Sequence, residues 1–404
     1  MSDQIARSGP LKGLKILDLT QFVSGPFCTQ ILADLGARVV KIERLPEGDP
    51  YRMAGPSFVD GESTLFLSLN RGKESVALNL KDDKVRKLFL EKLVPNFDIL
   101  IENFSPGTMD SLGIGSEVCR TANPSLIYAS ISGFGHAGPL REKKGFDLIL
   151  QSATGIMDLT GEEDSGPVKV GIPITDFAAG LYAAVGILAS CYERKKAGTS
   201  IATSLYESSI SLLSVLACDY FASGNIPRRM GSASPTFAPY QAFQCRDSFI
   251  TVAGAGSEEI WHRFTEAIEM PELATDSRFV RNSDRVRNQE ELTQIINQKL
   301  KERDSEDWLE VLDAKGVPSS RVNTLPQVLS EEQTRALELV SETPVRDEGT
   351  DAFKSIRLPL SFNGKPIRNS SSPPMLGEHT NLVLSEVGIA GEYVDELRAK
   401  KSLL

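Results

Sequence analysis

Residues 15–43, KILDLTQFVSGPFCTQILADLGARVVKIE, decide which fold this chain adopts. Lys15–Gln21 and Val39–Glu43 are short apolar runs that predict β-strands. Between them, Gly25-Pro26 predicts the start of a helix, because proline is favoured at the first helical position. A strand, a helix and a second strand this close together form a βαβ unit, whose strands run parallel with a right-handed crossover.

The same alternation of strands and helices continues to residue 131. Further strands are predicted at 75–80, 98–102 and 126–131, and an amphipathic helix at 81–93. This order predicts an open, doubly wound α/β sheet, which binds ligands beyond the carboxyl ends of its strands. The residues expected at that edge are 20–24, Glu43-Arg44, 103–105 and 132–135.

The chemistry of this edge disfavours a dinucleotide cofactor. An acid that closes the second strand, as Glu43 does, suits the ribose of NAD or FAD, but the first turn has one glycine, Gly25, where the dinucleotide motif has three. Arg44 is better placed to bind a phosphate or to stack on an adenine. Four further cations add to a local basic patch or are ordinary solvated charges: Arg71, Lys73, Lys81 and Lys144.

A second informative stretch is the apolar segment Gly171–Lys196, GIPITDFAAGLYAAVGILASCYERKK. Phe177–Cys191 carries no charge and is shorter than a membrane span, so it predicts a helix buried in a protein core. Gly180 allows another element to pack closely against that helix. The carboxylate of Asp176 at its start and the cations at 194–196 complement the helix dipole.

These residues leave two interpretations of Asp176 open. In the first, it simply caps the helix, as aspartate commonly does. In the second, helix-terminal N–H groups keep its carboxylate ionised at the edge of an apolar pocket, where the carboxylate can act as a nucleophile.

Composition restricts the class of protein. At 404 residues, two domains are expected, and the net charge of −10 argues against binding to nucleic acid or to an anionic membrane. The five cysteines lack CxxC spacing and the three histidines are far apart, so neither a disulfide framework nor a metal site is expected. The segment 1–10 is short and polar, unlike a signal peptide, and a cytoplasmic location is expected.

The later part of the chain predicts a smaller domain. A loop rich in Pro, Gly and Ser at 225–239 is followed by a hairpin at 240–255 and amphipathic helices at 258–269, 283–302 and 305–315. Short strands return after residue 322, and a last helix begins at Gly377. The predicted organisation is a large domain from 1–224, a small domain from 225–325, and a return to the large domain over 326–404.

Six motifs in order carry a resemblance to a known family. They are Leu11-x-Gly13-Leu-Lys-Ile-Leu-Asp18 with Gly25-Pro26, Leu35-Gly36-Ala37-x-Val-Val-Lys-Ile-Glu43-Arg44, Glu102-Asn103-Phe104-x-Pro106-Gly107, Ser132-Gly133-Phe134-Gly135, Asp176 with its helix, and Leu376-Gly377-Glu378-His379-Thr380. In these the chain resembles the class III CoA-transferases, which include formyl-CoA, carnitine and dicarboxylate CoA-transferases and the α-methylacyl-CoA racemases. The resemblance implies an α/β fold in which both chain ends build a Rossmann-like large domain beside a smaller α+β domain. It also implies an interlocked homodimer.

The same resemblance implies a function and its residues. CoA would pass from an acyl-CoA thioester to a small, free carboxylic acid, with succinyl-CoA as one such donor, and no cofactor would be tightly bound. Asp176 would attack the thioester, and backbone N–H groups near Gly231 or in 254–256 would stabilise the oxyanion. The residues implied to contact CoA are Val23, Ser24, Arg44, Leu78, Lys81, Asn103, Phe104 and Lys144.

Three departures narrow this expectation. Racemases of the family carry Gly-His-Asp where this chain has Gly145-Phe146-Asp147, and phenylalanine cannot transfer a proton. Formyl-CoA transferases have a glycine-rich loop where this chain has 230–235, and an arginine where it has Ser111, so formate and oxalate are disfavoured. The pair Arg228-Arg229 either holds the second carboxylate of a dicarboxylic acid or is an exposed pair of cations. An acyl-CoA racemase and a non-catalytic CoA-binding subunit remain the alternatives.

Overall fold

The computed structural model of this protein describes residues 8–193, 197–345, 352–369 and 371–404. The cations predicted to close the apolar helix, Arg194, Lys195 and Lys196, lie outside the described residues. Internal contacts separate the chain into two compact units: the first unit comprises Met1–Ile156, Val170–Asp219 and Gln333–Leu404, and the second unit comprises Met157–Lys169 and Tyr220–Glu332. The predicted domain bounds at 225 and 325 stay predictions.

The first unit contains a six-stranded parallel sheet. Its strands are β1 Lys15–Asp18, β2 Arg38–Glu43, β3 Glu74–Ala77, β4 Ile99–Glu102, β5 Ile127–Ser132 and β6 Ser200–Ser204. Their order across the sheet is β3-β2-β1-β4-β5-β6, and each neighbouring pair is parallel. This is the order of a doubly wound sheet, so the predicted α/β class with a central parallel sheet is confirmed.

Eighteen α-helices lie in the described residues. They are α1 Ser24–Asp34, α2 Thr64–Asn70, α3 Asp83–Leu88, α4 Thr108–Ser111, α5 Ser116–Ala122, α6 Asp147–Ala153, α7 Ile156–Leu159, α8 Ile174–Glu193, α9 Leu205–Leu212, α10 Ser214–Ser223, α11 Glu258–Ala267, α12 Asn282–Arg287, α13 Gln289–Leu300, α14 Ser305–Ala314, α15 Leu325–Ser330, α16 Glu332–Ala336, α17 Thr380–Glu386 and α18 Glu392–Ala399. A π-helical turn, Phe89–Leu93, follows α3, and single 3₁₀ turns lie at Pro50–Arg52, Val94–Asn96 and Pro271–Ala274.

Two hydrophobic layers cover the parallel sheet, because successive residues of a strand point to opposite faces. Ile16 of β1 packs in the layer that contains buried residues of α1 and α8. The next residue, Leu17, packs in the opposite layer, with residues of α3, α17 and α18. The chain returns to this unit at its end, where Leu403 forms a β-bridge with Leu78 just beyond β3.

The second unit has a separate core. Its antiparallel strands β7 Tyr240–Gln244, β8 Phe249–Ala253 and β9 Ser319–Arg321 pair in the order β9-β8-β7. Trp261, Phe264 and Trp308 are fully buried with residues of α13 and this sheet. Elsewhere, β10 Val340–Pro344 pairs with β11 Ala352–Ile356, and two-residue strands pair Phe58–Val59 with Glu62–Ser63 and Ser361–Phe362 with Lys365–Pro366.

Several predicted elements end earlier or divide. β1 ends at Asp18 and not at Gln21, because the Asp18 carboxylate accepts hydrogen bonds from Thr20 and turns the chain. The helix predicted over 283–302 is α12 and α13, divided at Asn288, whose side chain donates to the carbonyls of Arg278 and Asp284. The apolar segment 204–221, which predicts one helix, likewise lies in two helices, α9 and α10.

Helix α8 is longer and less buried than predicted. At 20 residues it is, among the described residues, the helix whose length and composition would suit a membrane span, although the core helix of a globular protein meets the same criterion. Ala179, Ala183 and Ile187 are buried in the hydrophobic layer that α8 shares with α1 and the parallel sheet. Val185, in contrast, is 61% exposed, so burial covers one face of the helix and not its whole circumference.

Candidate active site

The start of α8 meets the start of α1. A Cβ atom on Gly180 would lie 2.6 Å from the carbonyl oxygen of Ser24, so glycine alone permits this approach. Asp176 precedes Gly180 by four residues and therefore lies on the same face of α8. The predicted close packing at Gly180 exists, and it directs Asp176 towards the first residue of α1.

Ser24 binds Asp176 twice. Its hydroxyl and its backbone N–H both form hydrogen bonds to the Asp176 carboxylate, and both lower the pKa of that carboxyl group. The N–H groups in the first turn of a helix have no partner within the helix, and they carry the positive end of its dipole. Asp176 therefore supplies an acceptor that the start of α1 needs.

Burial nevertheless has the larger effect on Asp176. Burial makes the largest contribution and the negative charge of Asp147 the next, and together they raise the pKa of Asp176 to about 7. The two hydrogen bonds from Ser24 only partly oppose this rise. The interpretation in which helix N–H groups keep this carboxylate ionised is therefore met only in part, because burial and Asp147 oppose those groups. At neutral pH the group is balanced between its acid and its carboxylate.

Asp147 is fixed beside the first turn of α8. Its Oδ1 accepts hydrogen bonds from the backbone N–H of Thr175 at 3.1 Å and from the Thr175 hydroxyl at 2.9 Å. Its Oδ2 accepts one from Nε2 of Gln151 at 2.8 Å. Two partly buried carboxyl groups from different helices thus lie near each other, an arrangement that the sequence did not reveal.

Three aromatic rings lie beside these acids. The ring of Phe22 is edge-on to that of Tyr51, with centroids 5.5 Å apart, and to that of Phe146, with centroids 6.0 Å apart. Burial first, and then the charges of Asp176, Asp49 and Asp147, raise the pKa of Tyr51, so its hydroxyl stays protonated well above neutral pH. Phe22 lies in the segment 20–24 that was expected at the ligand edge, but no site role was predicted for any of the three rings.

The predicted CoA-contacting residues follow several strand ends. Asn103, after β4, donates from Nδ2 to the carbonyl of Gln21 at 2.7 Å and accepts from its N–H at 2.8 Å, and its Nδ2 is 3.4 Å from Oγ of Ser24. It therefore joins the β4 edge to the residue that holds Asp176. Val23, Ser24 and Leu78 are buried, Asn103 and Phe104 are partly buried, and Lys81 and Lys144 are exposed.

Arg44 projects further into solvent. Its side chain is 62% exposed, with Nε 3.3 Å from the carbonyl oxygen of Gly48. Two of the cations predicted for the basic patch are not part of it. Arg71 pairs with buried Asp34, and Lys73 pairs with buried Asp18 at 3.2 Å. Two of the four cations are therefore structural.

Glu43 is also committed to the protein interior. Its carboxylate receives Nε and Nη2 of Arg52, the hydroxyl of Ser75 and the N–H of Asp49. No oxygen of this group is left for the ribose of a dinucleotide, in agreement with the single glycine of the first turn.

In the second unit, two predicted oxyanion donors are already engaged. The N–H of Gly231 donates to the carbonyl of Gly161 at 2.9 Å, and that of Gly254 donates to the carbonyl of Pro239 at 3.0 Å. These two N–H groups are therefore not free to stabilise an oxyanion, and the expectation is corrected for both.

The adjacent arginines of the second unit differ. Arg228 forms an exposed ion pair with Glu163 at 2.8 Å. In contrast, Nη1 of Arg229 is buried and has no hydrogen-bond partner among the described residues. A buried guanidinium N–H without an acceptor is costly, so Arg229 is the member of the pair suited to receive an anion.

Comparison with known proteins places these observations in a family. The sequence model of the family described as CoA-transferase family III matches residues 11–380 of this chain. A relative described as succinyl-CoA:glutarate CoA-transferase, from Homo sapiens, is 37% identical over 94% of this chain and 86% of its own length. Another, described as acetyl-CoA:oxalate CoA-transferase, from Acetobacter aceti, is 38% identical over 85% of this chain and 90% of its own. The crystal structure of a CAIB/BAIF family protein from Brucella suis superposes with a TM-score of 0.83 and 36% identity, covering 94% and 99% of the two chains.

Proposed function

Because the chain belongs to CoA-transferase family III and is therefore a CoA-transferase, we propose that it moves CoA from an acyl-CoA thioester to a carboxylic acid through Asp176. The observation that carries this role is the position of Asp176, partly buried and held by Ser24 at the start of α1. Among the described acids, it combines a raised pKa with hydrogen bonds to a helix terminus at the predicted ligand edge of the sheet.

The proposed chemistry needs no net proton transfer. A carboxylate oxygen of Asp176 attacks the thioester carbonyl, the C–S bond breaks, and CoA leaves as a thiolate. The thiolate then attacks the Asp176 carbonyl of the mixed anhydride, the bond to the donor acid breaks, and that acid leaves as a carboxylate. The acceptor carboxylate reverses these steps on the aspartyl-CoA thioester, which restores Asp176.

The surroundings of Asp176 support this use. A carboxylate with a pKa of about 7 is more basic than one in water, and it is a better nucleophile once ionised. Exclusion of water also protects an anhydride from hydrolysis. The hydrogen bonds from Ser24 orient the Asp176 carboxyl group, which is ionised in about half of the molecules at neutral pH.

The predicted CoA residues divide by exposure. We propose that the exposed cations Arg44, Lys81 and Lys144 bind phosphate groups of CoA, where charge matters most. Contacts from buried Val23 and Leu78 would come through their backbone. Asn103 and Phe104 would contact the ligand at the β4 edge.

We also propose that the transferred acids include dicarboxylic acids. The name of the relative from Homo sapiens includes succinyl-CoA and glutarate, and glutarate is a dicarboxylic acid. Within the second unit, Arg229 is the cation that we propose for binding a carboxylate, because its buried Nη1 has no hydrogen-bond partner among the described residues. We also propose that the enzyme is cytoplasmic and that it is a homodimer.

The decisive experiment uses Asp176→Asn. Wild-type protein with succinyl-CoA and glutarate should form glutaryl-CoA, and the variant should lose at least about 10³-fold in turnover while still binding CoA. Hydroxylamine should convert acylated Asp176 of the wild type into a hydroxamate, seen by peptide mass spectrometry. Near-normal turnover in the variant would refute the assignment.

The alternatives give different results in the same assays. A racemase would wash deuterium into the α-carbon of the acyl-CoA with no acceptor acid present, and Phe146 in place of a proton-transferring histidine argues against this outcome. A non-catalytic CoA-binding subunit would bind CoA without any hydroxamate at Asp176.

The dicarboxylate proposal has its own matched pair of variants. Arg229→Met should lower kcat/KM for glutarate by about 10- to 100-fold relative to butyrate, since a charged hydrogen bond is lost. Arg228→Met, which removes an exposed ion pair, should leave the glutarate-to-butyrate ratio unchanged. Equal ratios in both variants and the wild type would remove Arg229 from substrate recognition.

A further inference from the structure

We infer that Phe22, Tyr51 and Phe146, here called the aromatic wall, contact the carbon chain of the acid carried by the enzyme and set the chain length it accepts. This inference rests on the proposed function of Asp176. The wall combines three segments distant in sequence: the turn after β1, the 3₁₀ turn after β2, and the residue before α6.

Three separate observations place the aromatic wall beside the proposed nucleophile, Asp176. Tyr51 is close enough to Asp176 for the carboxylate charge to affect its hydroxyl. Phe146 precedes Asp147, whose Oδ1 accepts a hydrogen bond from the backbone N–H of Thr175, the residue next to Asp176, at 3.1 Å. Phe22 lies two residues before Ser24, which holds the Asp176 carboxylate by hydrogen bonds.

Phe22 adopts a backbone conformation that must be held in place. Its φ of +64° is in the left-handed region, which is unfavourable for a bulky residue. Such conformations persist when surrounding contacts enforce them, and they concentrate at functional sites. A turn alone would favour glycine here, so the presence of a phenylalanine side chain requires a separate reason.

Asp49 supplies the contacts that hold two rings of the wall. Its Oδ1 accepts from the backbone N–H of Phe22 at 3.2 Å and from that of Tyr51 at 3.0 Å. Its Oδ2 is 2.9 Å from Nζ of Lys41, and both side chains are fully buried. Lys41 also donates to the carbonyl of Thr20 at 2.6 Å. One buried ion pair therefore fixes the backbone at both rings.

The exposed part of the wall suits a ligand. Phe146 is 57% exposed although its ring packs against Phe22, so a large apolar surface remains uncovered beside two acids. A negatively charged group is disfavoured there by Asp147 and Asp176, whereas a methylene chain gains from the rings. The wall therefore recognises the carbon chain next to the reacting carboxyl, and a second carboxylate must lie further away.

The first test removes the exposed ring. For Phe146→Ala, kcat/KM is measured with succinyl-CoA as donor and straight-chain acids of increasing length as acceptors. The ratio of the wild type's best acid to the acid one methylene longer should fall about 10-fold, because one methylene in an apolar pocket changes selectivity by this order. Phe362→Ala, which truncates a ring 47% exposed in the first unit, is the control and should keep the wild-type ratio. An unchanged ratio in Phe146→Ala would overturn the inference.

The second test separates the ring of Phe22 from its turn. Phe22→Gly removes the ring and suits the positive φ, whereas Phe22→Ala removes the ring and keeps the strain. Both should accept longer acids, and Phe22→Gly should have the higher Tm. If Phe22→Gly kept the wild-type chain-length profile, the turn and not the ring would matter, and the inference would fail.

Failure of the wall and failure of the proposed function are distinguishable. If wild-type protein transfers no CoA and Asp176 forms no hydroxamate, the proposed function itself is wrong. If the wild type transfers CoA but both ring variants keep its chain-length profile, only the aromatic wall is wrong.

Discussion

At the scale of single residues, the proposed reactivity depends on two acids that the sequence does not connect. Asp176 was predicted from its place at the start of an apolar helix, and the structure keeps it there. The influence of Asp147 was not predictable, because it arises from the packing of α6 against α8 and not from any spacing in the chain. Phe22 was placed at the ligand edge by its position in 20–24, but its conformation was not predictable, since its positive φ has no mark in the side-chain pattern.

Asp147→Asn tests this coupling through pH dependence. The raised pKa of Asp176 means that its nucleophilic form appears as pH rises through about 7, so kcat/KM of the wild type should increase through that range. Removing the charge of Asp147 should lower the pKa of Asp176, and the rising limb should move to lower pH, although burial keeps it above the value in water.

The asparagine can still accept hydrogen bonds from Thr175, so the start of α8 should be preserved in this variant. Asp83→Asn, at a side chain 87% exposed, is the control and should leave the pH profile in place. An identical limb in Asp147→Asn and wild type would show that Asp147 does not act on the nucleophile.

At the scale of elements, the contact between α8 and α1 positions the site. The sequence predicted the βαβ unit, the parallel sheet and the glycine contact, because apolar runs and glycine have local physical meanings. It missed β6, whose residues, SIATS, are mostly small or polar and lack the apolar pattern of a strand. It also missed α18, because this charged helix buries only two residues, Val394 and Leu397, and so lacks a clear apolar pattern.

Gly180→Ala tests the contact between these helices. The added methyl group would lie 2.6 Å from the carbonyl oxygen of Ser24, so α8 must move and carry Asp176 away from its hydrogen bonds. Turnover should fall at least about 10-fold, and overpacking should cost about 1–3 kcal/mol, measured by chemical denaturation, less a helix-propensity gain of about 1 kcal/mol.

Gly186→Ala on the same helix is the matched control. Its methyl group would meet the flexible side chain of Ile201 at 3.0 Å, and the helix-propensity gain is similar. This variant should retain turnover. If Gly180→Ala were as active as Gly186→Ala, close packing at Gly180 would not position the nucleophile.

At the scale of the whole molecule, α8 leaves an apolar stripe uncovered. Leu181, Val185 and Tyr192 are 50%, 61% and 89% exposed and fall on one side of the helix. Apolar surface of this kind usually marks an interface, which supports the proposed homodimer. The resemblance suggested a dimer, whereas composition alone could not, because the apolar content of α8 is equally consistent with a buried core helix.

Val185→Lys should weaken that dimer, because a charge would be placed in a desolvated interface. Light scattering at a series of protein concentrations should show the mass of one chain where the wild type shows two. Val118→Lys, at another valine 43% exposed on α5, should remain dimeric. A wild type with the mass of a single chain at all concentrations would contradict the proposal.

The pairing of the last residues with the sheet edge affects how the enzyme should be handled. Leu403 bridges Leu78, Ser402 donates its hydroxyl to Asp82 and accepts from the N–H of Asn79, and the side chain of Leu404 lies against Gly377. An affinity tag fused directly after residue 404 would pull on the same backbone that is proposed to meet CoA. A tag at the opposite terminus, or one cleaved back to residue 404, avoids confusing an artefact of purification with weak affinity for CoA.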